Sequence, residues 1–180
     1  MMKYLKVMLF WIMAITITGC NVVYTTQPIG ERPSLIETSD WEGTWINEEK
    51  FLTFNVLDKA KGLLRISWIE KDQGQVKLES CKVHLLESGD WIFASIPDKD
   101  NPKQYLWGRI KQDGRQVVVW VPDSEKFKTL VEEGKLPGRV EDNNILLGNL
   151  TSEHLKLITS EMAGVLFEWD EPIIFRRFSK

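Results

Sequence analysis

From Trp41 to Val121 the chain breaks into short runs of alternating apolar and polar residues, each closed by turn chemistry. Period-two alternation is the pattern of a strand with one covered face. In residues 63–70, Leu64, Ile66 and Trp68 fall on one side and Arg65 and Ser67 on the other. The runs 51–57, 63–70, 76–86, 91–96, 105–110 and 116–121 are parted by polar segments such as Lys71-Asp72-Gln73-Gly74 and Ser88-Gly89-Asp90. The strongest hairpin signal is Asp113-Gly114, because tight two-residue turns need positive φ. Six such runs predict an antiparallel meander. In 76–86 the apolar residues change parity, from Val76 and Leu78 to Cys81, Val83 and Leu85, which predicts a bulge near Glu79-Ser80.

After Pro122 the pattern changes to a helical one. Asp123 or Ser124 caps a helix with Phe127, Leu130 and Val131 on one side, ending near Gly134. A short strand at 145–150 precedes a second helix, capped by Thr151 or Ser152 and carrying Leu155, Ile158 and Met162 on one face. Strands return at 165–169 and 173–178. The fold class is mainly β: a small antiparallel barrel of about eight strands with accessory helices near 124–134 and 152–162. The alternative is an open twisted antiparallel sheet packed on two helices. Val117-Val118-Val119-Trp120-Val121 is apolar on both faces, so one side meets the interior and the other lies beneath a helix.

The N-terminal segment reads differently. Lys3 and Lys6 precede an apolar stretch too short for a membrane span, which needs roughly 20 residues. Ile17-Thr18-Gly19-Cys20 follows. This resembles the signal peptide and lipobox of bacterial lipoproteins. The resemblance implies cleavage between Gly19 and Cys20 and acylation of the Cys20 thiol, with two or three chains giving stable anchoring. Asn21, where an Asp would retain an enteric-type lipoprotein in the inner membrane, implies by analogy the outer membrane facing the periplasm. Residues 1–19 are then a signal peptide and 41–180 the barrel domain. Residues 20–40, with Gln27-Pro28-Ile29-Gly30 and Arg32-Pro33-Ser34, read as a lipidated, flexible tether.

Losing residues 1–19 removes two lysines and no acid, moving the net charge from −3 to −5. An acidic chain with no basic cluster argues against nucleic acid as a partner. Removing Cys20 to lipid leaves Cys81 alone, so no intrachain disulfide forms. Cys81 and His84 are three apart on a strand and point to opposite faces. His154 stands on a helix beside Glu153, a solvated setting. Glu168 with Asp170, and Glu132 with Glu133, read as solvated edges. No nucleophile elbow, phosphate loop, dinucleotide fingerprint or paired-Cys zinc spacing occurs, so the reading is no enzyme, no metal and no cofactor.

Gly43-Thr44-Trp45 at the head of the strand region is similar to the opening motif of the lipocalins and their wider superfamily of eight-stranded ligand-binding barrels. The resemblance implies that Trp45 closes one end of the barrel under a C-terminal basic residue, Arg176 or Arg177, in cation–π contact. The family's second motif is missing from the hairpins, and the helix around Phe127 interrupts the meander where the family has none. Seven of eight tryptophans lie beyond residue 20, and Trp68, Trp91 and Trp107 are the candidates to line an apolar cavity. The leading expectation is a non-catalytic envelope lipoprotein binding an apolar small molecule or lipid in its barrel. The alternative is a structural or protein-interaction lipoprotein with a filled core, and the third an enzyme whose residues are scattered in sequence.

Overall fold

The alternating runs form strands whose apolar sides meet inside a closed wall. The computed structural model describes residues 21–48, 50–72, 75–160 and 166–178. Two short strands, β1 (Val23–Thr25) and β2 (Arg32–Pro33), precede a one-turn helix, α1 (Thr38–Trp41). The meander follows: β3 (Gly43–Asn47), β4 (Lys50–Asp58), β5 (Leu63–Asp72), β6 (Gln75–Ser88), β7 (Trp91–Pro97), β8 (Tyr105–Asp113) and β9 (Gln116–Trp120). Then come α2 (Ser124–Glu132), β10 (Gly138–Glu141), β11 (Asn144–Leu147), α3 (Ser152–Thr159) and β12 (Ile173–Arg177).

Successive strands from β3 to β9 pair antiparallel. β12 then pairs with both β9 and β3 and closes an eight-stranded barrel. Closure rules out the open sheet and gives each of these strands two neighbours, which removes most of the edge that an open sheet exposes. Tight turns appear where the residue types allow positive φ: Gly114 at φ 56° between β8 and β9, and Asp142 and Asn143 at 48° and 69° between β10 and β11.

Two apolar clusters share the wall. Trp45, Leu52, Phe54, Leu64, Val83, Leu85, Val117 and Phe175 are buried inside the barrel. Outside it, α2, α3, β1 and β11 cover Phe93 and Trp107 together with Phe127, Ile145, Leu147, Leu155 and Ile158. β7 and β8 are therefore covered on both faces, with Ala94 and Ile110 inward and Phe93 and Trp107 outward. The two-faced valine run at 117–120 has this cause in part: Val117 and Val119 face inward while Trp120 packs with the outer cluster. β1 joins the layers, antiparallel to the start of β8 and parallel to β11.

Both long helices are capped from the sequence. The Asp123 side chain accepts from the amides of Glu125 and Lys126. Thr151 caps α3, and His154 at the third helical position accepts from the Thr151 amide, completing a reciprocal box.

Three expectations are corrected. Residues 21–40 are not a free tether: Val23, Ile29 and Ile36 are buried and β1 and β2 pair with wall or cap strands. The Pro and Gly residues there shape a path across the barrel, and the apolar residues between them supply the reason to hold it. No bulge occurs at Glu79-Ser80, because β5 and β6 keep one register from Asp72–Gln75 to Leu63–His84. The irregularity lies between Val56 and Asp58 instead. In the expected strand at 165–169, the described part forms a single bridge, Phe167 to Pro122, so Glu168 and Asp170 share no strand face. The lipobox residues and Met162 lie outside the described residues. Among the described residues, both clusters and every stave fall within residues 23–177.

Candidate functional site

At the end of the barrel where β3 begins, α1 lies across the opening. Trp45 is wholly buried and its indole N–H donates to the Trp41 carbonyl at 2.9 Å. The Arg177 guanidinium lies 4.8 Å from the centre of the Trp45 ring. The same group donates to the carbonyls of Ser39 (2.8 Å) and Asp40 (2.5 Å), the last turn of α1. Register explains the choice between neighbours. Arg177 is opposite inward-facing Trp45, whereas Arg176 is opposite Ile46 and exposed on the outer face. The cation thus ties ring, helix and C-terminal strand together, with the cation–π contact worth about 0.5–2 kcal/mol.

The three tryptophans expected to line one cavity are divided by the wall. Trp68 packs against the inner cluster, while Trp91 and Trp107 belong to the outer one. The cause is strand parity: Trp107 is paired with Ser95 and Trp91 stands two residues before Phe93, both on the outward side of β7. In the interior, the volume that a ligand would need is taken by Trp45, Phe54 and the aliphatic side chains around them. Two concavities lie outside the wall. A small one sits between residues 25–30 and α3, lined by Ile29, Leu150 and Leu155. A shallow groove of about 450 Å³ runs between residues 27–33 and the outward side of β5 and β6, where it meets Leu63, His84 and Lys61.

Arg109, which the sequence reading did not single out, occupies the most distinctive side-chain cluster. Its guanidinium lies 4.0 Å from the Trp91 ring centre, 4.8 Å from Trp169 and 5.3 Å from Trp120. Burial holds its pKa below the ordinary arginine value. Three indole faces substitute for the missing carboxylate, and the arginine fills the cage that they form. The signal in sequence is faint: a cation two residues after an outward-facing tryptophan, on a strand covered on both sides.

The remaining reactive groups do not converge. Cys81 faces the inner cluster and burial pushes its thiol up to about 11. His84 faces outward, its ring edge-on to Tyr105 at 6.0 Å, and burial followed by the nearby Lys82 charge lowers its pKa. The two point to opposite sides of β6, as their spacing requires. Glu168 is raised by burial and by the charges of Asp123 and Glu171. His154 is used in the α3 cap. Among the described residues no three His, Cys, Asp or Glu side chains gather in a metal-binding group. No family model matches the chain, and neither the curated proteins nor the solved structures contain a match to it.

Proposed function

We propose that the protein is a lipid-anchored lipoprotein of a bacterial cell envelope, held in the outer membrane facing the periplasm, whose barrel is a non-catalytic scaffold. The scaffold presents its outer surface to the envelope and does not enclose a ligand. The observation behind this reading is the filled interior, where Trp45, Leu52, Phe54, Leu64 and Leu85 each have no more than 2 % of their surface exposed. The carrier version, an apolar molecule inside the barrel, requires a cavity of roughly 300–1,000 Å³. The anchor rests on the resemblance of Ile17-Thr18-Gly19-Cys20 to a lipobox, and the lipocalin likeness rests on Gly43-Thr44-Trp45 together with the Arg177 contact.

Two measurements test the two halves. In cells fed labelled palmitate, the chain takes up label and Cys20→Ala does not; label in that variant removes the anchor. Titration of the purified protein with a fluorescent fatty acid gives no saturable uptake. Stoichiometric uptake with quenching of tryptophan emission overturns the scaffold reading in favour of the carrier.

A further inference from the structure

The outward face of β3 to β6 departs from the polar surface that a solvated wall requires. Opposed residues of antiparallel neighbours share a face. Ile46 is opposite Phe51, and Ile69 is opposite Leu78. Phe51 and Ile69 each stand one step beyond the inward pair Leu52–Trp68, so these four residues form one outward row across four strands. Val76 lies next to the row, and Phe178 meets Phe51 edge-on with ring centres 5.5 Å apart. Phe51, Ile69, Val76 and Leu78 are 53, 66, 64 and 76 % exposed. A ridge of large apolar side chains left in water marks an interaction surface.

Around the ridge, charge on this face is of one sign. Arg65 and Lys82 are opposed to each other, Lys71 is opposite Val76, and Arg176 is opposite Ile46. The positions between them, Thr53, Asn55, Ser67 and Ser80, are neutral. Glu70 and Glu79 have the other parity, opposite Lys77 and Trp68. Among the described residues the outward carboxylate of β3 to β6 is Asp58, opposite Leu63 beyond the β4 bulge and paired with Lys61 at 3.4 Å; the outward positions around the ridge carry none, although the whole chain has net charge −3. Among the described residues none of the four cations joins an ion pair.

We infer that the outward face of β3 to β6 docks on an anionic phospholipid bilayer, its apolar ridge entering the headgroup boundary while Arg65, Lys71, Lys82 and Arg176 meet lipid phosphates. A second copy of the chain is a poor occupant, since two such faces repel. A convex ridge also offers a peptide no groove. An anionic lipid surface satisfies both the apolar row and the cations. This goes beyond the scaffold reading and needs no acyl chain at Cys20, because every residue involved lies beyond the lipobox.

The test uses the full chain carrying Cys20→Ala, which cannot be acylated, in co-sedimentation with vesicles of phosphatidylcholine alone or mixed with phosphatidylglycerol. The protein pellets with the anionic vesicles, more weakly with the neutral ones, and less as salt rises. Ile69→Ser with Leu78→Ser lowers the affinity more than about tenfold. Lys71→Gln and Lys82→Gln lower it by about fivefold each. Lys99→Gln, in the loop after β7, leaves it unchanged. All these side chains are exposed, so thermal unfolding of the variants follows that of the parent and a loss of binding is not a loss of fold. Failure to pellet with anionic vesicles at low salt overturns the inference, as does equal binding by the ridge variants. If the same variants instead abolish crosslinking to an envelope protein, the face belongs to that protein and the inference is wrong. Palmitate labelling at Cys20 is read separately, so either conclusion can fail alone.

Discussion

Arg176 and Arg177 are adjacent in sequence and lie on opposite sides of the wall, one in solvent and one over Trp45. Arg177→Ala removes the ring contact and two charged hydrogen bonds to α1, and urea denaturation should record a loss of about 2–3 kcal/mol. Arg177→Lys recovers only part of this, since an ammonium lacks the planar fork. Arg176→Ala should change stability by less than about 0.5 kcal/mol. Cys81 makes a pH-dependent contribution. Folded, its thiol keeps its proton up to about pH 11, whereas an unfolded thiol loses it near 8.5. Between those values the folded state binds more protons, so stability falls as pH rises, by about 3 kcal/mol over the window. Urea midpoints measured near pH 8 and near pH 10.5 should drop further for the parent than for Cys81→Ala. Equal drops would show that the thiol is not buried as described.

Two glycines in turns show how much the surroundings of an element matter. Gly62 closes the β4–β5 turn at φ +59°, and an added Cβ would lie 2.2 Å from the Leu85 carbonyl oxygen. Its own carbonyl accepts from the Leu85 amide at 2.7 Å, so the turn is stitched to β6 and cannot back away. Gly114, at φ +56° in the β8–β9 turn, has nothing within 4 Å of that position. Gly114→Ala should cost about 1 kcal/mol from backbone strain alone. Gly62→Ala should cost more than about 3 kcal/mol or abolish folding, because strain and overlap add. Chemical denaturation of the two variants separates these outcomes, and similar costs would contradict the close approach. On the β5–β6 hairpin, the parity change at Val76 and Leu78 reads in sequence as a bulge, yet the register is continuous. The apolar residues change face because that end of the hairpin is apolar on the outside.

At the scale of the whole molecule, β7 and β8 are the wall common to both apolar clusters, so neither cluster can dissolve alone without exposing the other side of these strands. Unfolding should be one cooperative transition, with tryptophan emission and far-ultraviolet circular dichroism changing together. Two separated transitions would mean that the α2–α3 layer is an independent unit. Residues 21–36 belong to the same unit, since Val23 and Ile29 pack in the outer cluster and Ile36 in the inner one. Deleting residues 21–36 should remove several kcal/mol, about 1.5–3 for each of the three buried side chains. A deletion variant with unchanged thermal stability would restore the tether.

The meander strands β4 to β9, their turns and the starts of α2 and α3 were legible in the chain itself, because alternation, Asp-Gly and capping residues act over a few neighbouring positions. Leu64, Ile66 and Trp68 could be assigned a common face from spacing alone, and so could the opposed directions of Cys81 and His84. The Gly43-Thr44-Trp45 motif pointed to a tryptophan at the barrel's end, but only the pairing of β12 with β3 selected Arg177 over Arg176. Closure depends on β9 and β12 meeting across more than fifty intervening residues, a long-range encounter that no local pattern encodes. The same holds for the division of Trp68 from Trp91 and Trp107. Local alternation separates one side of a strand from the other, but it cannot tell which side is inside when both are apolar. Only the closed wall decides that, and with it whether a tryptophan fills the core or cages Arg109.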